Sequence, residues 1–228
     1  MTCDKIAWLD CDVVFERNDW AERASRALDD YPLLHLFQER YDPPRDLPLS
    51  PLDAWDTWPM VSSTMHQMAA GEATPEDLFV PLPGVKWQAT NGLAWASRRD
   101  GLEAHGLYDA CIIGGGDRAM VCAAIGRPGY CVQAHRMSTQ RAAHYGAWAQ
   151  AFFATVCGRV EYLPERLVHL WHGETKDRQA EARHRGLETF NFDPCIDIAL
   201  DYNGCWRWNS DKPELQALIR YYVRMSRR

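Results

Sequence analysis

The stretch Ile6-Ala7-Trp8-Leu9-Asp10-Cys11-Asp12 decides how this chain is interpreted. The apolar run predicts a buried strand, and alternation along it would place Asp10 and Asp12 on one face and Cys11 on the other. Such a strand offers carboxylate ligands at the carboxyl edge of a sheet, where open α/β folds bind ligands. Neighbouring carboxylates repel each other, so a divalent cation would stabilise the pair. The alternative is a loop in which Asp12 only caps a turn.

The composition sets broad limits on fold and function. The 228 residues suit a single domain, residues 1–228, with a substantial core. A net charge of −6 and the absence of a basic stripe argue against nucleic-acid binding. Without an apolar stretch near 18 residues or a signal-like start, we expect a cytoplasmic protein with no membrane span. The 8 cysteines read as small buried residues and the 10 tryptophans suit stacking on sugar rings.

Hydrophobic periodicity and turn residues predict an α/β fold. We expect a mixed, mostly parallel sheet with one or two antiparallel strands, flanked by helices. The predicted strands cover residues 6–9, 33–37, 88–97 and 166–172. The predicted helices cover residues 20–28, 61–70, 98–104, 118–125, 138–156 and 176–187, with a closing helix over 212–227 packed on the body. Proline-interrupted loops are expected over residues 42–59 and 75–83.

A late stretch, HLWHGETKDR, carries candidate ligands after the last long strand. Strand alternation puts His169 and His172 on opposite faces, so a regular strand would not bring both to one metal. We prefer His172 as the ligand because Gly173 permits a sharp exit from the sheet. Lys176 and Arg178 could bind phosphate oxygens at a helix start. A core histidine is the better interpretation of His169, and it also stays open for His172.

A glycine turn and a tryptophan-flanked segment supply further candidates. In Gly114-Gly115-Gly116-Asp117 the glycines permit a ligand to approach the backbone, and Asp117 could act as a general base or bind an acceptor hydroxyl. The alternative is an ordinary helix cap, since a positive helix end lowers a carboxylate's pKa and weakens it as a base. The segment from Trp87 to Trp95, with Asn91 and Gly92 between them, could flank a sugar or be core.

Taken in order, these motifs resemble nucleotide-sugar-dependent glycosyltransferases of the GT-A fold, in their galactosyltransferase-like and family-2-like bacterial and phage branch. The resemblance runs over about residues 6–208 and lies in the ordered set: the opening Asp-x-Asp, a glycine-containing strand before Arg98-Arg99, the Gly-Gly-Gly-Asp segment and the late His-Leu-Trp-His-Gly stretch. It implies a nucleoside-diphosphate sugar as donor and a carbohydrate or glycan as acceptor.

The resemblance also implies roles for single residues. Asp12 matches the direct ligand of Mn²⁺ or Mg²⁺, and Asp10 matches the residue that reaches the ribose or a metal-bound water. His172 matches the third ligand, Lys176 a diphosphate ligand, and Asp117 the base of inverting members. Relatives usually have an acidic cluster after Gly-Trp-Gly, so the single aspartate after three glycines leaves the inverting outcome open. Family members also carry several βα units upstream, so we expect an N-terminally shortened version.

Two other functions remain open. A haloacid-dehalogenase-like Mg²⁺-dependent phosphatase also begins with a hydrophobic strand and Asp-x-Asp, but it needs Gly-Asp-x-x-x-Asp downstream. The residues after Gly116-Asp117 lack that second acid. A non-catalytic carbohydrate-binding remnant of a transferase would account for the many tryptophans.

Overall fold

A computed structural model describes residues 3–45, 52–80, 89–171, 173 and 180–225, and gives them a mixed α/β fold. The strands are β1 (Lys5–Leu9), β2 (Val13–Phe15), β3 (Leu33–His35), β4 (Glu39–Tyr41), β5 (Met60–Ser62), β6 (Ala94–Arg98), β7 (Val160–Tyr162), β8 (Arg166–His169), β9 (Ile198–Leu200) and β10 (Trp206–Trp208). The α-helices are α1 (Trp20–Asp30), α2 (Thr64–Ala69), α3 (Pro75–Phe79), α4 (Arg99–His105), α5 (Gly116–Ala124), α6 (Pro128–Ala134), α7 (Thr139–Val156), α8 (Ala180–Thr189), α9 (Pro194–Asp197) and α10 (Pro213–Met225), and a 3₁₀ helix covers Leu52–Thr57.

The first sheet has four strands in the order β1-β6-β3-β7. β6 is antiparallel to both β1 and β3, whereas β7 is parallel to β3. Consequently β1, β3 and β7 run in one direction and β6 in the other. Along β6, Trp95 belongs to one buried cluster, while Ala94 and Ala96 belong to another. Because successive side chains point to opposite faces, this sheet has a hydrophobic core on each face.

The second sheet has the order β2-β8-β4-β5 and a smaller core. β8 is antiparallel to β2 and parallel to β4, which is antiparallel to β5. The core consists of Tyr41, Trp55, Trp58 and Val168. The guanidinium of Arg166 lies over the Tyr41 ring, 4.7 Å from its centroid. The chain passes from the first sheet to the second between β1 and β2, so residues 10–12 lie at the junction of the two sheets.

Helices pack on both faces of the first sheet. α1 belongs to the cluster that contains Ala94 and Ala96, whereas α5 and α7 belong to the largest cluster, which contains Trp95. α7 begins after Ser138, whose hydroxyl accepts a hydrogen bond from the backbone N–H of Arg141, as is usual at a helix N-terminus. The closing helix α10 contacts α8, and its Leu215 and Ile219 are buried in the largest cluster. No helix in the described ranges combines the length and the apolar character that a membrane span requires.

The expectation of a mostly parallel sheet is wrong, because most of the strand pairs are antiparallel. Of the seven pairs in the described residues, five are antiparallel and two are parallel. The physical reason lies in β6, which lies between β1 and β3 and runs against both. A strand buried on both faces has the same apolar composition in either direction, so its sequence does not reveal its orientation.

Two predicted strand ends also need correction. β1 ends at Leu9, and a turn follows at Cys11 and Asp12, so strand alternation does not govern the orientation of the two carboxylates. The late strand, predicted over residues 166–172, ends at His169. The reason is its pairing: β2, the antiparallel neighbour of β8, begins at Val13, opposite His169.

Candidate functional site

The acidic turn, residues 10–12, is held by backbone hydrogen bonds on both sides. The N–H of Asp10 donates to the carbonyl of Leu93, with an N···O distance of 2.7 Å. The carbonyl of Asp12 accepts from the N–H of Leu170, also at 2.7 Å. The segment before β6 and the end of β8 therefore meet at this turn.

Asp117 lies in the first turn of α5 and packs against Gly92. A Cβ atom built on Gly92 would lie 2.9 Å from the Asp117 Oδ2 atom, closer than real Cβ contacts allow. Only glycine therefore leaves room for the carboxylate in its present position. The structure thus brings together two predicted site residues that are 25 positions apart in the sequence.

The surroundings of Asp117 favour its protonated form. Desolvation by the surrounding protein is the larger cause, and the nearby charge of Asp10 is the next; together they raise the pKa of Asp117 to about 6. A backbone hydrogen bond acts in the opposite direction but is outweighed. Asp117 is nevertheless exposed at the surface, so a ligand can reach it. The positive end of a helix was expected to lower the pKa of Asp117 and so to weaken it as a base. The raised pKa, together with the exposure of the carboxylate, makes Asp117 better suited to accept a proton.

On the other side of the turn, the imidazole of His169 lies between two carboxylates. Its Nδ1 atom is 3.3 Å from Asp42 Oδ1, within hydrogen-bond distance. Its Nε2 atom is 3.8 Å from Asp12 Oδ2. The side chain is 11% exposed, so these contacts are largely protected from bulk water. The sequence favoured a core histidine here, whereas the structure gives His169 a contact with the acidic turn.

Asp42 is itself fixed by several groups. Its Oδ2 atom accepts a hydrogen bond from Arg40 at 2.8 Å, and its backbone N–H donates to the carbonyl of Pro59 at 3.0 Å. Burial alone would raise the pKa of Asp42, but the hydrogen bond from His169 and the charge and hydrogen bond of Arg40 outweigh it, so the pKa is lowered. Asp42 is therefore held as an anion.

A buried histidine supports the Gly92 segment from below. His35 is fully buried, and its ring stacks on Trp95 with centroids 4.1 Å apart. Desolvation lowers the pKa of His35 to about 3, so the ring is neutral near pH 7. Its Nε2 atom lies 3.2 Å from the carbonyl of Gly92, and because a carbonyl only accepts, Nε2 carries the proton. Leu93 follows with φ +80°, a strained conformation of the kind found at functional sites.

Several predicted sugar-binding residues have other roles. Trp95 is completely buried, and its Nε1–H donates to the carbonyl of Asn91 at 2.8 Å. The prediction that Trp95 flanks a sugar is therefore wrong, because its ring faces the core. The side-chain oxygen of Asn91 accepts from Thr64 at 2.9 Å. A Cβ on Gly115 would lie 2.4 Å from the His135 ring, so packing alone requires this glycine.

Other predicted residues lie outside the described residues or have no close neighbours that define a role. Gly116 begins α5, and a Cβ there would make only an ordinary contact. Trp87, His172, Lys176 and Arg178 lie outside the described residues, so their roles remain predictions. Within the described ranges, no group of three or more His, Cys, Asp or Glu side chains is arranged to hold a metal ion.

Sequence reasoning missed the roles of His35 and Asp42 and gave His169 a purely structural one. Their positions depend on strand pairing: β8 lies between β2 and β4, which brings His169 between the residue before β2 and the residue after β4. The sequence carries this signal only in part: Asp12 adjoins a short β-prone run, Val13–Phe15, whereas the run before Asp42, Glu39–Tyr41, has no such composition. Recognising it requires knowledge of which strands pair.

In comparisons with protein-family models, with curated proteins and with solved structures, no match to this chain was found. The chemistry of the acidic turn and its neighbours is consequently the basis for a functional assignment.

Proposed function

We propose that this protein is a metal-dependent glycosyltransferase, which moves a sugar from a nucleoside-diphosphate donor to a hydroxyl group of a carbohydrate acceptor. The observation that carries the proposal is that the two aspartates of the acidic turn have different neighbours. Asp10 interacts electrostatically with Asp117, and Asp12 faces the imidazole of His169. Sugar transfer of this kind needs a cation beside the leaving diphosphate and a base for the attacking hydroxyl.

The residues at the turn fit a divalent cation. Asp10 and Asp12 offer the carboxylate oxygens that Mg²⁺ and Mn²⁺ prefer, and the ring nitrogen of His169 suits Mn²⁺ as well. Mg²⁺ is commonly held by only one or two protein carboxylates, together with water and substrate phosphates. The proposal therefore does not need a cluster of three protein ligands. When bound, the cation would supply Lewis-acid stabilisation of the departing nucleoside diphosphate.

Asp117 is the proposed proton acceptor. It is exposed enough for an acceptor hydroxyl to reach it, and its raised pKa makes it a stronger base than an ordinary aspartate. Gly92 keeps the space beside its carboxylate open. The proposal of an inverting reaction rests on this assignment, since direct attack by a deprotonated hydroxyl inverts the anomeric carbon.

The other predicted contacts complete the proposal. His172 is a further candidate ligand of the cation, and Lys176 and Arg178 are candidates for the donor diphosphate because their charges oppose that of phosphate. Trp87 is a candidate for contact with the sugar. These assignments follow from the sequence and from the resemblance to GT-A glycosyltransferases.

Binding of nucleotide sugars with and without Mn²⁺ tests the proposal. We expect one donor from a panel of nucleoside-diphosphate sugars to raise the Tm only when Mn²⁺ is present, because a ligand that binds the native state stabilises it. The wild-type chain should also hydrolyse this donor slowly. Asp12→Ala should abolish both the Tm shift and the hydrolysis. Asp100→Asn, a change at a carboxylate that is 82% exposed on α4, should leave both unchanged. A wild-type chain that binds no donor with Mn²⁺ contradicts the proposal.

A phosphatase of the haloacid-dehalogenase type is the second candidate. The interaction between Asp10 and Asp117 favours it, because such enzymes also join an opening Asp-x-Asp to a downstream carboxylate through Mg²⁺. It does not account for the contact of His169 with Asp12. Release of phosphate from a generic aryl phosphate with Mg²⁺, without binding of any nucleotide sugar, would favour this candidate. Sugar binding that is independent of metal would instead favour a non-catalytic carbohydrate-binding protein.

A further inference from the structure

The contact between Asp42 and His169 defines which ring nitrogen faces the acidic turn. An ionised carboxylate has only acceptor atoms, so the Nδ1 atom that lies 3.3 Å from Asp42 Oδ1 carries a proton. In the neutral ring, Nε2 then bears the lone pair. That lone pair lies on the side of Asp12 Oδ2, 3.8 Å away. Two electron-rich atoms on facing side chains are an arrangement that a shared cation would stabilise.

The position of Asp42 is determined by groups that do not belong to the acidic turn. One carboxylate oxygen of Asp42 accepts a hydrogen bond from Arg40 and the other contacts His169, so each oxygen has its own partner. Its backbone N–H is bonded to Pro59, just before β5. The two side-chain contacts limit rotation of the carboxylate, and the backbone bond fixes the segment that carries it, so the position of the His169 ring is limited as well.

We propose that Asp42 is a positioning residue, which holds the His169 ring with Nε2 directed at the cation site of the acidic turn. This inference rests on the proposed function, because it presupposes that a cation binds there. A carboxylate that accepts from the second nitrogen of a metal-ligating histidine has this effect in many metal sites, where its loss typically weakens metal binding by about 10- to 100-fold. The alternative is a purely structural pair that joins β4 and β8.

Mn²⁺ affinity, measured by the electron paramagnetic resonance signal of free Mn²⁺, tests the inference without any substrate. We expect Asp42→Asn to weaken Mn²⁺ binding about 10- to 100-fold. Asp56→Asn is the matched control, because Asp56 is 80% exposed and pairs with Arg166 of the same sheet; it should not change the affinity. His169→Gln should weaken binding at least as much as Asp42→Asn.

A double variant separates positioning from a structural effect. If Asp42 acts through His169, Asp42→Asn should cause no further loss of Mn²⁺ affinity in a His169→Gln background. Losses that multiply in the double variant would overturn the inference. A wild-type chain that binds Mn²⁺ while Asp42→Asn binds it equally well overturns the inference but leaves the proposed function intact. A wild-type chain that binds no Mn²⁺ overturns both.

A measurement on the wild-type chain covers the case in which Asp42→Asn does not fold. Nitrogen-15 NMR of the histidine rings, with the His169 signals assigned by their loss in His169→Gln, reports which nitrogen carries the proton. We expect Nδ1 to be protonated and the Nε2 signal to broaden on addition of substoichiometric Mn²⁺, which is paramagnetic. A ring with the proton on Nε2 alone, or an Nε2 signal that Mn²⁺ broadens no more than the signals of remote histidines, contradicts the positioning role.

Discussion

Asp117 and Asp42 are two aspartates near the acidic turn with opposite surroundings. Asp117 lies among desolvating groups and near the like charge of Asp10, so its pKa is raised to about 6. Asp42 accepts hydrogen bonds from an imidazole and a guanidinium, so its pKa is lowered. Environments that push the pKa values of similar groups apart commonly separate their roles. The difference indicates that Asp117 can exchange a proton and that Asp42 serves as a fixed anion.

The comparison predicts its largest effect at Asp117. Asp117→Asn preserves the size of the side chain but removes the proton acceptor, so we expect turnover of the donor and acceptor to fall by about 10²- to 10⁴-fold. The affinity for Mn²⁺ should change little, in contrast to Asp42→Asn. Steady-state kinetics with the donor found in the binding screen measure the first, and titration of Mn²⁺ the second. Full turnover in Asp117→Asn would remove Asp117 from the mechanism.

The space beside Asp117 gives the next largest effect. Gly92→Ala adds a Cβ that would lie 2.9 Å from the carboxylate oxygen, so the carboxylate must move. A displacement of this order at a reacting group should lower turnover by about 10- to 100-fold. Gly146→Ala in α7 is the matched control, since a Cβ there has no neighbour within 4 Å; it should leave turnover unchanged and raise the free energy of unfolding by about 0.5–1 kcal/mol. Equal turnover in the two variants would show that the fit of Gly92 is unimportant.

These two positions also show what the sequence could predict about the site. Gly92 and Asp117 were singled out by local patterns, a glycine within a strand and an aspartate at a helix start, and the structure brings them together. The same kind of reasoning failed for Trp95, because a tryptophan that faces a sugar and one that faces the core look alike in a strand. Its burial depends on His35 of β3, which stacks on it, and on the rest of the largest cluster, all remote in sequence and not reported by a local pattern.

The fold, like the site, was predictable only where local signals in the sequence determine an element. The helix predicted over residues 138–156 corresponds to α7, Thr139–Val156, since a serine cap and a long periodic pattern are local signals. The three-residue strands β2, β4 and β7 were not predicted, because they are too short for alternation to be recognised. The pairing of β2 and β4 with β8 positions His169 and Asp42. The site was therefore predictable where it depends on β1 and α5, and unpredictable where it depends on the pairing of β8 with the short strands β2 and β4.

The pH dependence of stability tests the protonation state of His35, which contacts the carbonyl of Gly92 next to Asp117. His35 is neutral in the folded chain because its pKa is about 3, whereas an unfolded histidine binds a proton near pH 6.5. As pH falls below 6.5, the unfolded state binds a proton that the folded state does not. The free energy of unfolding therefore falls by about 1.4 kcal/mol per pH unit because of His35. His35→Gln lacks this term. We therefore expect the difference in the free energy of unfolding between wild type and His35→Gln to shrink between pH 6.5 and pH 4 in urea titrations. A difference that stays constant with pH would contradict a neutral His35.

The smallest effect is expected at Arg40, the second partner of Asp42. Arg40→Gln removes a partly exposed ion pair, and such pairs typically contribute about 0–1 kcal/mol to stability. The contact between Asp42 and His169 does not involve Arg40, so Mn²⁺ affinity should fall by no more than about threefold, the equivalent of about 0.7 kcal/mol. Urea unfolding and Mn²⁺ titration measure the two quantities. A loss of Mn²⁺ affinity as large as that of Asp42→Asn would mean that Arg40 determines the orientation of the carboxylate. In that case Asp42 and Arg40 would act as one unit, and the contrast with Asp117 would depend on the guanidinium rather than on the imidazole.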